Sequence, residues 1–257
     1  MNDWDLRDLT LAGIQWELTD IPFVIASAPQ AHEPTTTRTP GGAANARTPT
    51  AIVPPIAPEQ TISVETAVAM AARPGDAASL NRMIAEFNHP LRAGATNVIL
   101  PHIAPNPNGL VIITDIPSAD DDANGQILSG AAGELLDKML AAIDMSRENV
   151  SIVPLLFWRT PGGRTPSREE MDLGRPFVNK MLGFLKPRII MTLGTLPAME
   201  IGKITLAQGH GIVKELDSGV KLMPLFHPNY LMLKPGAKRD AWNALQSVQK
   251  MLKNPNE

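Results

Sequence analysis

Four near-continuous apolar runs constrain this chain more than anything else in it: "GLVIITDI" (109–116), "VSIVPLLFW" (150–158), "RIIMTLG" (188–194) and "VKLMPLF" (220–226). Each is far shorter than the roughly 20 apolar residues of a membrane span. Each is also too continuous for a strand with one wet face, which alternates polar and apolar residues. What remains is a strand buried on both faces. Between and after the runs lie segments with helical spacing, at 133–145, 167–186, 195–202 and 238–253. Strands alternating with helices imply a parallel sheet covered on both sides. The expected fold is α/β: a three-layer α/β/α sandwich around a central four-stranded parallel sheet. In such sheets, sites form at the carboxyl ends of strands. Asp115 and His227 stand at two of those ends.

Local signals set the domain limits. Residues 61–72 and 76–87 read as short helices, with Asp76 as N-cap and Leu80, Ile84 and Phe87 on one face. Ser167 and Glu170 have the spacing of a capping box. Upstream, residues 4–18 suit a helix with Leu6, Leu9, Ile14 and Leu18 near one face. Residues 28–60 are dominated by Pro, Thr, Ala and Gly and read as a flexible linker. The expected organisation is an N-terminal helix within 1–27, a linker at 28–60 and an α/β domain over 61–257. A helix on such a tether can dock onto a protein partner.

Composition narrows the chemistry. The chain of 257 residues has no cysteine, which excludes disulfides and thiolate-held metals. The acidic start "MNDWDLRDLT" lacks the basic opening of a secretory signal. A cytoplasmic protein without membrane contact is expected. Charge is uneven along the chain. Residues 1–149 carry 8 Lys and Arg against 18 Asp and Glu, a balance of −10; residues 150–257 carry 15 against 8, a balance of +7. A basic half can be the footprint of a polyanion, or simply a solvated surface.

Four segments carry a resemblance: "TDIPS" (114–118), "GQILSGAAGELLDKML" (125–140), "FWRTPGGRTPSREE" (157–170) and "FHPNYLMLKPGAKRDAWNAL" (226–245). In this order and spacing they resemble the motifs of the uracil-DNA glycosylase superfamily, nearest its family 4 branch. The last two are long and specific. The first is weak alone. The resemblance implies a protein that extrudes a base from DNA and hydrolyses its glycosidic bond, because that bond is out of reach inside the stack. DNA, single-stranded or uracil-containing, is the implied partner.

The resemblance also distributes roles. His227 matches the family histidine, a donor to the oxygen on which negative charge gathers. Asp115 stands where the family has a glutamate, one methylene longer. Ile116, Pro117, Leu128 and Pro154 match the base pocket. Leu128 replaces a stacking aromatic ring, and Pro154 replaces a base-reading asparagine. Leu231 matches an apolar wedge pushed into the base stack. Arg159, Arg164, Asn229, Lys234, Lys238 and Arg239 lie in the DNA-contacting loops, and Gly194 and Thr195 open a helix whose free N–H groups suit a phosphate. Asp120, Asp121 and Asp122 read as a solvated acidic loop, or as the source of a substitute carboxylate. The four cysteines that hold the family's iron–sulfur cluster correspond to Glu86, His89, Trp158 and Gly174, so no cluster or other cofactor is expected. Two readings follow: a glycosylase for uracil or another deaminated base, with weak or altered activity, or a catalytically degenerate relative that binds DNA or a protein.

Overall fold

The computed structural model describes residues 62–254. The expected N-terminal helix and the 28–60 linker lie outside the described residues. Two helices come first, α1 (Val64–Ala72) and α2 (Ala77–Glu86). Asp76 caps α2 as expected, its carboxylate accepting from Ser79 N at 2.6 Å. The order then runs β1 (Leu110–Thr114), α3 (Ala119–Asn124), α4 (Gly130–Ala141), β2 (Ser151–Pro154), α5 (Arg168–Leu185), β3 (Ile189–Leu193), α6 (Thr195–Gly202), α7 (Leu206–Gly209), β4 (Lys214–Glu215), β5 (Lys221–Leu225), α8 (Pro228–Leu233) and α9 (Lys238–Lys253).

The sheet order is β2-β1-β3-β5-β4. The four strands read from the sequence are its parallel members. A fifth, β4, pairs antiparallel with β5 at the edge, so the sheet has one strand more than expected. With only two residues, β4 has no pattern to read.

Strand side chains alternate between two cores, as a period of two requires. Leu110 and Ile112 face a core with Leu136 and Leu140 of α4, Leu231 of α8, and Leu245 and Val248 of α9. Val111 and Ile113 face the other, with Leu80 and Ile84 of α2 and Phe177, Val178 and Met181 of α5. Helices therefore cover both faces, which makes the three-layer sandwich. Burying one such aliphatic side chain contributes about 1.5–3 kcal/mol, so continuous apolar strands hold a sheet with two inner faces. The Ser167 capping box is present, and α5 runs through Pro176. Among the described residues no helix is long and apolar enough to cross a membrane.

Candidate active site

The carboxyl edge of the parallel strands opens into a cleft of about 1090 Å³. Thr114 and Asp115 enter it from the end of β1, Gly194 and Thr195 from the end of β3, and Phe226 and His227 from the end of β5. Leu128, Arg159, Asn229, Tyr230 and Leu233 complete much of its wall. Asp115 and His227, 112 positions apart in sequence, thus line one open space.

His227 is held in one protonation state. It caps α8, and its Nδ1 accepts from Asn229 N at 3.2 Å. A ring nitrogen that accepts carries no proton. The neutral ring therefore keeps its hydrogen on Nε2, which lies 3.3 Å from Thr114 Oγ1. Burial pushes the ring's pKa down to about 4, against a smaller opposing pull from the Asp121 carboxylate. At neutral pH, His227 is an uncharged donor at the cleft.

Asp115 is tuned the other way. Burial raises its carboxyl above the ordinary value, and a hydrogen bond from Ile116 N to Oδ1 at 2.9 Å only partly offsets this. The other oxygen faces Gly194. A Cβ built on Gly194 would stand 3.1 Å from Asp115 Oδ2, and the backbone there has φ of +108°, which glycine alone adopts easily. The β3–α6 turn thus lets its backbone approach the carboxylate closely.

The cleft floor is pinned from behind. Arg147 donates to the carbonyls of Ile127 (2.9 Å) and Leu128 (2.8 Å), and Asp137 holds its Nε at 2.8 Å. This steadies Leu128 in a left-handed conformation with φ of +48°. Gly133 lets α4 pass under that loop, since a Cβ there would overlap the Leu128 carbonyl.

Ile116, Pro117, Leu128, Arg159, Gly194, Thr195 and Asn229 all line the cleft, as the sequence led one to expect. Other expected residues are placed differently. Pro154 pairs with Thr114 inside the sheet and is buried outside the cleft wall. Leu231 is 1% exposed and belongs to the core beneath α4 and α9, so it is no ready wedge. Drawing a leucine out of that core costs about 1.5–3 kcal/mol. Arg164 is committed to Glu170 by two contacts, at 2.5 and 2.8 Å. The Gly194 N–H donates to Leu225 O at 2.9 Å and is not free for a phosphate. Lys234, Lys238 and Arg239 stand beyond the cleft wall, with Lys234 and Arg239 exposed.

The acidic run is also not a solvated loop. Asp121 and Asp122 are buried. Asp121 accepts from Ser118 N and Ser129 N. Asp122 accepts from Thr96 N and Asn97 N. Only Asp120 is exposed, at the cleft rim. Sequence reasoning missed Thr114, Phe226 and Tyr230. The two rings belong to a row of three, with Tyr230 tilted 31° against Phe226 (4.5 Å) and Phe226 stacked on His210 (4.0 Å). The string "FHPNY" carried that signal, because aromatic residues four apart bracket the histidine.

The positions matching cluster cysteines do not fit an iron–sulfur group. His89 and Trp158 are both buried and stack with centroids 4.6 Å apart and planes 7° from parallel. Both His89 nitrogens are occupied: Nδ1 accepts from Leu91 N at 3.1 Å, and Nε2 donates to Glu170 O at 3.0 Å. A Cβ on Gly174 would meet Leu156 Cδ2 at 2.5 Å. Phe87 and Phe177 close the aromatic cluster, 4.8 Å apart.

A doubly covered, mainly parallel sheet with a half-buried acid and a neutral histidine lining one cleft at its carboxyl edge defines an α/β protein with a candidate site there. The family model described as the uracil DNA glycosylase superfamily matches residues 100–246, more than half of the chain. The chain belongs to that superfamily. It is 30% identical over 140 residues to a type-4 uracil-DNA glycosylase of Archaeoglobus fulgidus, covering 51% of this chain and 70% of that one. A type-4 uracil-DNA glycosylase of Pyrobaculum aerophilum is 32% identical over 139 residues, covering 51% and 71%. One from Thermotoga maritima is 28% identical over 146 residues, covering 56% and 76%.

Proposed function

We propose that this protein hydrolyses the N-glycosidic bond of a uracil, or of another deaminated base, turned out of DNA into the cleft. The observation that carries the reading is that the cleft is open: the acid and the histidine border an accessible space, and no side chain among the described residues fills it. The relatives named above support the substrate class.

The steps follow from the two groups. As the bond between C1′ and the base nitrogen breaks, the electron pair leaves with the base, and its oxygen gains negative charge. His227 offers its Nε2–H to that oxygen as a hydrogen bond and keeps the proton, so the ring stays neutral throughout. The sugar is left with positive character at C1′. The Asp115 carboxylate stabilises it and orients a water, whose oxygen bonds to C1′ while its proton passes to that carboxylate and on through solvent to the departing base anion. One methylene less than a glutamate shortens the reach, and misplacement near 1 Å can cost on the order of 10²-fold. A slow reaction is expected.

Base choice is altered as well. Pro154 lies outside the cleft and supplies no amide to read a base edge. A site without a paired polar contact loses discrimination steeply. Uracil, hypoxanthine and xanthine are therefore expected to differ by less than the several orders of magnitude that a hydrogen-bonding pocket gives.

The test is incubation with single-stranded DNA carrying each of these bases, followed by alkaline cleavage at abasic sites. Product from at least one base, lost in His227→Ala, is expected. No product from any base at enzyme in excess over DNA rejects hydrolysis and leaves a DNA-binding relative.

A further inference from the structure

Beside His227, the end of β1 holds a second polar group. Thr114 is the last residue of that strand, lines the cleft and is only 4% exposed. Its Oγ1 lies 3.3 Å from His227 Nε2. Nδ1 of that ring accepts from Asn229 N, so Nε2 carries the hydrogen and can only donate. Thr114 Oγ1 is therefore the acceptor of this contact, and its own hydrogen is not spent on the ring. Among the described residues that hydrogen meets no other acceptor. A buried hydroxyl with an unused hydrogen, on the wall of an open cleft, calls for a ligand to receive it.

We propose that Thr114 is a second catalytic donor: its Oγ1–H and the Nε2–H of His227 together receive the oxygen of the departing base. The inference rests on the reading of the cleft as the seat of an extruded base. Two donors 3.3 Å apart can both stand about 2.7–3.1 Å from one oxygen. Their contact with each other is long for a hydrogen bond, so little is lost when the base oxygen takes over the Nε2–H. Both groups keep their protons. The electron pair of the broken bond leaves with the base, and the two hydrogen bonds strengthen as charge gathers on its oxygen.

Both donors are fixed before a base arrives. Thr114 pairs with Pro154 in the sheet, and its carbonyl accepts from Leu155 N at 3.0 Å. A β-branched side chain is also stiff about χ1. His227 is held by the backbone N–H of Asn229, at the start of α8. Donors that need no rearrangement at the moment of reaction stabilise developing charge most. Thr114 thus places a polar hydrogen on the wall of a cleft in which residue 154 supplies no amide.

The test compares single-turnover excision of uracil and of 5-fluorouracil from single-stranded DNA. The fluorinated anion is the more stable and needs less help in leaving. Thr114→Val keeps the shape of the side chain and removes the hydroxyl. It is expected to keep its denaturation midpoint and its affinity for DNA, and to excise uracil about 10²-fold more slowly, as for the loss of one donor to an oxyanion. The deficit is expected to shrink on 5-fluorouracil. Thr114→Ser, which keeps the hydroxyl, is expected to recover most of the rate. In both variants the ring-nitrogen NMR signals of His227 are expected to remain those of the Nε2–H tautomer, because Asn229 N still fixes it. If Thr114→Val does not fold, Thr114→Ala carries the same comparison.

A wild-type rate in Thr114→Val would overturn the inference and leave hydrolysis standing. So would a Thr114→Ser as slow as Thr114→Val. An equal loss on both bases, together with a changed tautomer of His227, would also overturn it and reduce Thr114 to a positioning residue. No excision of either base by the wild type would overturn the second donor; excision of hypoxanthine would then leave hydrolysis standing, and its absence too would reject hydrolysis.

Discussion

Two regions of this molecule lack the side chains expected of its family, and they compensate in opposite ways. Around residues 86, 89, 158 and 174, the space of a bound group is closed by packing: His89 lies flat on Trp158, Leu156 abuts Gly174, and Phe87 and Phe177 seal the cluster. At the sheet's carboxyl edge, the base-reading amide and the stacking ring expected near residues 154 and 128 are also missing, yet the cleft stays open at about 1090 Å³. A structural group can be exchanged for apolar contacts, because burial and packing supply the same thing, stability. A reaction site cannot be exchanged that way, because it needs room for a substrate. The difference separates a region that holds the fold from one that uses it.

That separation can be broken or sharpened by experiment. The largest effect is expected at Trp158. Truncation to Ala removes the centre of the aromatic cluster and should cost about 3–5 kcal/mol of stability, read as a shift in denaturation midpoint. Trp158→Phe should cost far less, since the indole Nε1 has no hydrogen-bond partner to lose. Neither should change the rate per folded molecule. His227→Ala should do the reverse. Single-turnover excision should fall about 10²–10³-fold, the usual effect of removing one donor to a developing oxyanion. Stability should fall only by about the 1 kcal/mol of a lost helix cap.

Acid should weaken the fold in both regions next. His89, His210 and His227 all have pKa values lowered chiefly by burial. In the unfolded chain each takes up a proton near pH 6.5. Between that value and the lowered one, the unfolded state binds more protons, so stability is complete above about pH 6.5 and declines as the pH falls. Asp115, raised by burial, opposes this from its ordinary value upward. Three histidines outweigh one acid, and the denaturation midpoint should drop between pH 7 and pH 5. The smallest effect separates two arginines. Arg159→Ala should weaken DNA binding and reduce the salt slope by about one. Arg164→Ala should barely change either, because its guanidinium is bound to Glu170.

Much of the frame was legible because burial on two faces writes itself as apolar runs. The four parallel strands lie inside the segments read for them, and α9 has the expected bounds of 238–253. Short elements escaped, since α3, α7 and α8 are too brief to repeat a period and β4 has two residues. At the site, the sequence brought Asp115 and His227 to strand ends, which the parallel topology then joined in one cleft. It did not reveal which way α8 faces, because Leu231 and Leu233 are chemically alike and only packing distinguishes them. Nor did it reveal that Asp121 and Asp122 are buried, because their partners at Ser129, Thr96 and Asn97 are tertiary.

The most direct test is the single-turnover excision rate on single-stranded uracil DNA as a function of pH, measured for wild type and Asp115→Asn. The wild-type rate should climb with pH through a limb lying above the ordinary aspartate value, as Asp115 ionises, and then level off. No step should appear near 6.5, because His227 is already neutral there. Asp115→Asn should lose that limb together with about 10²-fold or more of the rate. A limb that persists unchanged in Asp115→Asn would contradict a site built from a neutral histidine and a half-buried acid.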